Sequence, residues 1–340
     1  MGLVYVGLSG GVDSAVAAYL LRKEGHDVAG AFIKGWEPDF LPCTGTADRL
    51  SAMRVAAHLE IPFVTVDLSK EYKKLVVDQF VAEYKAGRTP NPDVLCNRAI
   101  KFGAFWQYAK AHGADFIATG HYALLRQGYG GRAVLGVSKD SAKDQTYFLW
   151  TLTQEDLKHT LFPIGSYKKS EVRAIAKRAK LPNATRKDSQ GLCFLGHVDM
   201  HEFLKRYIKP KRGTIIYDSD QRVIGEHDGA WFYTLGQHVP TSSPKRLYVV
   251  GKDVRKNVLT VSETPRGEST RYTLTTMSWI SGSAPKFKFQ AQYRYHGPLV
   301  GAEVKGHTVA FDEPVLVASG QSVVFFDPQN KVCLGGGTIE

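Results

Sequence analysis

Short apolar runs at 3–6, 28–33, 63–66 and 116–119 alternate along the first third of the chain with stretches of helical periodicity at 12–23, 47–59, 68–85 and 101–112. These runs are continuous, whereas a strand with one wet face alternates apolar and polar side chains. Strands covered on both faces and separated by helices predict a doubly wound parallel α/β sheet, and such sheets bind ligands beyond the carboxyl ends of their strands. The loop after the first strand and Gly120-His121 after the fourth are therefore expected in one crevice. Two further helices are predicted at 154–159 and 170–180, the second capped by Ser170. From about Pro210 the period shortens to two and turn residues become frequent, as in 213–217, 247–250 and 258–261. Strands at 271–280, 287–295, 308–311 and 322–326 would close a small barrel. The organisation expected is an α/β domain at 1–208, a small β-rich central domain at 209–257, and a C-terminal β-barrel at 258–340 set off by a break near 252–257.

Composition narrows the class. The 340 residues exceed one typical core, and 43% hydrophobic with 23% charged residues is ordinary for a water-soluble protein. No apolar run approaches the roughly 18 to 20 residues of a membrane helix. The first strand starts directly behind Met1, so no leader and a cytoplasmic location are expected. Cys43, Cys96, Cys193 and Cys333 are widely spaced and form no CxxC pair, which argues against a disulfide framework or a zinc site. The formal charge of +11 is concentrated: residues 158–212 hold 14 Lys/Arg against four acids. A face of that density suits a polyanion, nucleic acid first and an anionic membrane second; the plainer alternative is a solvated helix face.

Three runs carry candidate chemistry. Gly7-Leu8-Ser9-Gly10-Gly11-Val12-Asp13-Ser14 lies between the first strand and a helix N-terminus, where N–H groups, two hydroxyls and the helix dipole can cradle an anion. It lacks the lysine of a Walker loop, which suits pyrophosphate as a departing unit and attack at the α-phosphate. The SGGxDS pattern resembles the pyrophosphate loop of the ATP pyrophosphatases, which adenylate a carbonyl oxygen. In the second run, Arg88 to Asn97, two prolines stiffen a loop that presents Asn91, Asp93 and Cys96. The third, Lys187 to Phe194, sets Cys193 in the basic stretch, where neighbouring cations push a thiol toward thiolate. Taken singly, each cysteine also reads as a small buried hydrophobe. Beside an adenylating loop, two thiols can deliver sulfur and resolve the product as a disulfide.

Nearly end to end, the chain resembles the bacterial tRNA-specific 2-thiouridylases, through GLSGGVDSAV, EYKAGRTPNPDVLCNRAIKF, ADFIATGHYA, SKDQTYFL, KDSQGLCFLG, GEHDGAWFYTLGQ and GQSVVFFDPQNKVCLGGGTI. The resemblance implies ATP-dependent replacement of O2 by sulfur at wobble uridine 34 of certain tRNAs. By the same resemblance Gly7 to Ser14, Ile33 and Gly120 bind ATP, with Mg²⁺ accompanying the triphosphate. Asn91, Pro92 and Asp93 meet the target base, while His121, Lys143, Asp144, Gln145, Arg294, Tyr295 and Gln321 touch tRNA at its anticodon arm. Cys193 carries a persulfide received from a sulfur donor, a cysteine desulfurase or relay protein; Cys96 releases that sulfur and closes a transient disulfide; Asp93 is a candidate acid/base. The chain departs from the family at Ile33, usually methionine, in a shortened loop at 238–244, and in an acidic cluster reduced to Glu37 and Asp39; Cys43 is read as structural. Three alternatives stand beside this reading: an adenylating C–N ligase that needs neither cysteine, an iron–sulfur cluster bridging Cys96, Cys193 and a third ligand, and a tRNA-binding protein without catalysis.

Overall fold

The computed structural model describes residues 2–40, 45–188, 193, 198–241, 244–265 and 269–340. Cys43, most of the run 187–194 apart from Cys193, and residues 242–243 of the shortened loop lie outside the described residues.

The N-terminal part is β1 (Leu3–Gly7), α1 (Val12–Lys23), β2 (Asp27–Lys34), α2 (Gly45–His58), β3 (Phe63–Asp67) and β4 (Phe116–Ala118), then a hairpin of β5 (Leu124–Gln127) and β6 (Ala133–Gly136), then β7 (Thr160–Leu161). The main sheet is parallel, in the order β3-β2-β1-β4-β7, as the continuous apolar runs require. Tyr5, Ala31 and Ile33 face one core and Val4, Val6 and Phe32 the other, so each strand is buried on both sides. The strand order reverses between β1 and β4, with Val6 opposite Ala118. At that point connections leave in opposite directions and open a crevice above the strand ends. Helix Lys169–Arg178 starts one residue earlier than expected, and Ser170 does not cap it: the Glu171 carboxylate accepts the Lys168 N–H at 2.6 Å instead.

The central sheet orders β8 (Gly213–Tyr217), β9 (Val223–His227), β10 (His238–Val239), β11 (Leu247–Asp253) and β12 (Val258–Ser262) as β10-β11-β12-β8-β9. This corrects the expected boundary between 257 and 258. Residues 254–257 are the turn of the β11–β12 hairpin, and β12 also pairs in parallel with β8, so its ladder bonds on both edges belong to the central sheet. The barrel comprises β13 (Ser269–Trp279), β14 (Phe289–Gln292), β15 (Leu299–Lys305), β16 (Thr308–Val315), β17 (Ser322–Phe326) and β18 (Cys333–Ile339), closed in the order β13-β16-β15-β14-β17-β18.

Candidate functional site

The loop after β1 is fixed from behind. Leu8 and Val12 anchor it in the core, at 2% and 3% exposure, so these two can serve a ligand only through their backbone. Gly10 takes φ +79°, and a Cβ there would stand 2.5 Å from the Asp48 carbonyl; only glycine fits both constraints. The Gly10 carbonyl accepts from Ser51 Oγ (2.9 Å), Asn183 Nδ2 (2.9 Å) and Arg186 Nη1 (3.3 Å), and Asn183 also reaches the Gly11 carbonyl at 3.0 Å. With the carbonyls pulled back, the Gly11 N–H, trans to the Gly10 carbonyl, turns to Ser9 Oγ (3.3 Å), and the two serine hydroxyls meet at 3.3 Å. Helix α1 has no side-chain cap, which leaves its first N–H groups for an anion. Asp13 is held by Lys169 Nζ at 2.7 and 2.8 Å and by the Tyr122 hydroxyl at 2.9 Å. Ile33 is buried near the end of β2, with Cδ1 3.9 Å from where a Gly7 Cβ would sit. A Cβ on Gly120 would fall 2.6 Å from the Ser14 nitrogen, so β4 and α1 approach as closely as a bare backbone allows.

The run around Cys96 starts a helix where a loop was expected. Asn91 Oδ1 accepts the Asp93 N–H (3.1 Å) and the Val94 N–H (3.3 Å), and Pro92 occupies the first turn of Pro92–Cys96. There its missing N–H has no helical partner to lose. Fully buried Cys96 ends this turn, and the chain continues as a π-helical stretch, Asn97–Ala104. Cys193 Sγ lies 3.3 Å from Cys96 Sγ across 97 positions of sequence. Its N–H donates to Asp93 Oδ1 (3.3 Å) and its carbonyl accepts from the Tyr72 hydroxyl (2.7 Å). Burial pushes the Cys96 thiol up, and its hydrogen bond to Cys193 adds to this. Cys193 is lowered to about 7 by the Cys96 hydrogen bond, which together with the Lys101 ammonium outweighs burial. Burial likewise raises Asp93, against the pull of Lys101. Cys96 is thus the donor of the pair and Cys193 the more readily ionised sulfur.

Several residues expected to contact tRNA also bond within the protein. His121 is 7% exposed, with Nδ1 2.7 Å from Thr119 Oγ1 and Nε2 3.4 Å from Lys101 Nζ. Asp144 accepts the Ser138 and Thr146 N–H groups at 2.7 and 3.2 Å, and Gln145 Oε1 the Tyr122 N–H at 3.0 Å. Gln321 Nε2 donates to the Thr89 carbonyl (2.7 Å) and the Tyr295 hydroxyl to the Asp144 carbonyl (3.0 Å), both joining the barrel to the α/β domain. Lys143 is exposed, 3.4 Å from Asp188; the Arg294 guanidinium lies over the Tyr293 ring, 5.4 Å from its centroid. Sequence reasoning missed Lys101, Tyr72, Asn183 and Arg186, and left Lys169 in a basic stretch read either as a polyanion-binding face or as a solvated helix face. Their partners are up to 176 positions away, beyond the reach of any spacing rule.

The residue types and their placement match known proteins along the whole chain. Residues 3–197 match the tRNA methyl transferase HUP domain, 201–263 the tRNA methyl transferase PRC-barrel domain, and 269–339 the aminomethyltransferase beta-barrel domain. The chain is 44% identical to the tRNA-specific 2-thiouridylase MnmA of Nitrosomonas europaea, covering 99% of this chain and 97% of that protein. Against the MnmA of Streptococcus uberis identity is 43% over 99% and 95%, and against MnmA 2 of Geobacillus kaustophilus 44% over 99% and 94%. With a pyrophosphate-type loop, a contacting cysteine pair and full-length identity at this level, the chain belongs to the tRNA-specific 2-thiouridylase (MnmA) family.

Proposed function

We propose that this protein is a cytoplasmic, ATP-dependent tRNA-uridine 2-sulfurtransferase acting on wobble uridine 34. The observation that carries the reading is the 3.3 Å contact of the two sulfurs, joined to the nucleotide loop through Gly120 and His121. Neither packing nor a C–N ligase calls for two distant thiols to converge there. Uridine O2 attacks the α-phosphorus of ATP as the N3 proton leaves to Asp93, and pyrophosphate departs toward the α1 N-terminus. A wobble base already sits in a single-stranded loop, so turning it into the crevice costs less than extracting a paired one.

Sulfur moves in two exchanges. The Cys193 thiolate attacks the terminal sulfur of a donor persulfide; a new S–S bond forms, the donor's breaks, and the donor leaves as a thiolate. Cys96 then gives up its proton and attacks Cys193 Sγ, forming the Cys96–Cys193 disulfide and expelling hydrosulfide with the bonding pair. Hydrosulfide adds at C2, AMP leaves, and a proton returns to N3. The cysteine pair ends oxidised by two electrons, and an external dithiol restores it. A cysteine desulfurase or sulfur-relay protein is the donor this scheme requires.

Magnesium enters only with the triphosphate. Among the described residues no cluster of three His, Cys, Asp or Glu side chains could hold a metal, and the Asp13 and Asp188 carboxylates are both engaged by Lys169. No step is routed through it. Direct thiol exchange also leaves an iron–sulfur cluster without a role, which iron analysis of anaerobically prepared protein checks. The deciding experiment is mass spectrometry of tRNA nucleosides from cells lacking the protein, complemented with wild type, Cys96→Ser or Cys193→Ser. Restoration of 2-thiouridine by wild type alone is expected; restoration by both serine variants would end the sulfur mechanism.

A further inference from the structure

Lys101 carries a charge that neither the adenylation nor the two-cysteine exchange accounts for. Its ammonium sits inside the molecule, where an isolated cation is expensive. Four groups face it: the sulfurs of Cys193 and Cys96, the Asp93 carboxylate, and the His121 ring. The two cysteines and Asp93 favour its charged form against burial, and its ammonium lies 3.4 Å from His121 Nε2.

The backbone explains how it gets there. Cys96 and Lys101 are five positions apart, and on an α-helix of 3.6 residues per turn they would be about 140° apart around the axis. In a π-helix the bonds run from i to i+5, so residues five apart fall near one line. The π-helical stretch Asn97–Ala104 begins directly after Cys96 and brings Lys101 round to the same side. His121 meets it there, its ring packed against those of Phe102 and Phe162, with centroids 5.8 and 6.1 Å away. Burial and the adjoining ammonium hold His121 neutral. Since Lys101 can only donate, Nε2 must accept from it, and Nδ1–H donates to Thr119 Oγ1 at 2.7 Å.

We propose that Lys101 is the counter-cation of the sulfur-transfer steps: it faces the anionic sulfur at Cys193, both before loading and as hydrosulfide is expelled, and neutral His121 is the positioning residue that aims it. This rests on the sulfurtransferase reading for the identity of the expelled anion, but the charge pairing with Cys193 can be tested without tRNA or ATP. Among the described residues, Cys193 faces Cys96, Asp93, Lys101 and Tyr72, and of these Lys101 alone is cationic.

The test is the rate of Cys193 alkylation by iodoacetamide in the full-length protein as a function of pH, resolved by peptide mass spectrometry. Wild type should show a midpoint near about 7. Lys101→Gln should move it upward by about one unit or more, so that alkylation at pH 7 slows about fivefold or more, while Lys101→Arg keeps most of the wild-type rate. An unshifted profile in folded Lys101→Gln overturns the proposal, as does a Lys101→Arg profile that matches Lys101→Gln. Should Lys101→Gln fail to fold by circular dichroism, His121→Phe decides: it keeps the ammonium but removes its acceptor, and the midpoint must rise. Wild-type protein that never thiolates tRNA, yet shows these shifts, would refute the function and leave the pairing intact.

Discussion

A methyl group on Gly120 would lie 2.6 Å from the Ser14 nitrogen and 2.8 Å from the Asp13 carbonyl carbon, both backbone atoms that cannot swing aside. Gly120→Ala must therefore push the end of β4 away from the start of α1, an overpacking cost of about 1 to 3 kcal/mol. That displacement falls on the N–H groups assigned to phosphate, so affinity for a non-hydrolysable ATP analogue should drop about tenfold or more by calorimetry. Unchanged affinity would show that the nucleotide is held elsewhere. The two cysteines separate differently. In the proposed scheme Cys96→Ser keeps the thiolate that would receive sulfur but loses the thiol that would release it, so a Cys193 persulfide should accumulate and be visible by intact mass. Cys193→Ser should gain no sulfur from the donor. Both should still release pyrophosphate with tRNA and ATP, because the proposed scheme gives neither sulfur a part in adenylation.

Among the elements, the short helix Pro92–Cys96 has most to gain from its cap, since it aims Cys96 and carries Asp93. Asn91→Ala should cost about 1 kcal/mol in denaturant unfolding, as N-cap truncations do. Asn91→Asp keeps the accepting oxygen and should be near wild type in stability, while replacing an amide donor with an acceptor. If Asn91 also meets the target base, as the family resemblance implies, Asn91→Asp will lose thiolation without losing stability; a variant both stable and active confines Asn91 to capping. This helix marks where the sequence stopped being legible. Val4, Val6, Val28 and Phe32 announced their strands, because burial on both faces leaves a continuous apolar run. The Pro-Asn-Pro segment looked like a loop, because proline's absent N–H weighs against a helix everywhere except its first turn. The widened turn after Cys96 leaves no trace in composition, and Lys101 went unnoticed with it. Strand β18 contains three consecutive glycines, Gly335 to Gly337, and so lacks the apolar alternation by which a strand is recognised.

At the scale of the whole molecule, the β-barrel is latched to the α/β domain by Thr89, whose N–H donates to the Ser319 carbonyl at 2.7 Å and whose carbonyl accepts from Gln321, and by the Tyr147 hydroxyl on the Ser322 carbonyl at 2.9 Å. Residues read as tRNA ligands thus hold the surface on which tRNA would rest, a division of labour visible only once the parts are assembled. The basic stretch divides in the same way. Lys169, Arg173 and Arg186 are paired with Asp13, Asp188 or Asp48 behind the phosphate loop, and Lys205 with Glu202 and Asp228, so their charge is largely neutralised within the protein. Lys209 and Lys211 are exposed and form no ion pair with another described residue. If the stretch positions tRNA through phosphates, its electrostatic footprint must come from such cations, each releasing about one counterion. The double reversal Lys209→Glu, Lys211→Glu should weaken tRNA binding at low salt and reduce the slope of log affinity against log salt by about two, leaving ATP affinity unchanged. Filter binding across a potassium chloride series reads both quantities. An unchanged slope would assign the charge at 209–211 to solvation and move the phosphate contacts to another face, with Lys143 and Arg294 the next to reverse.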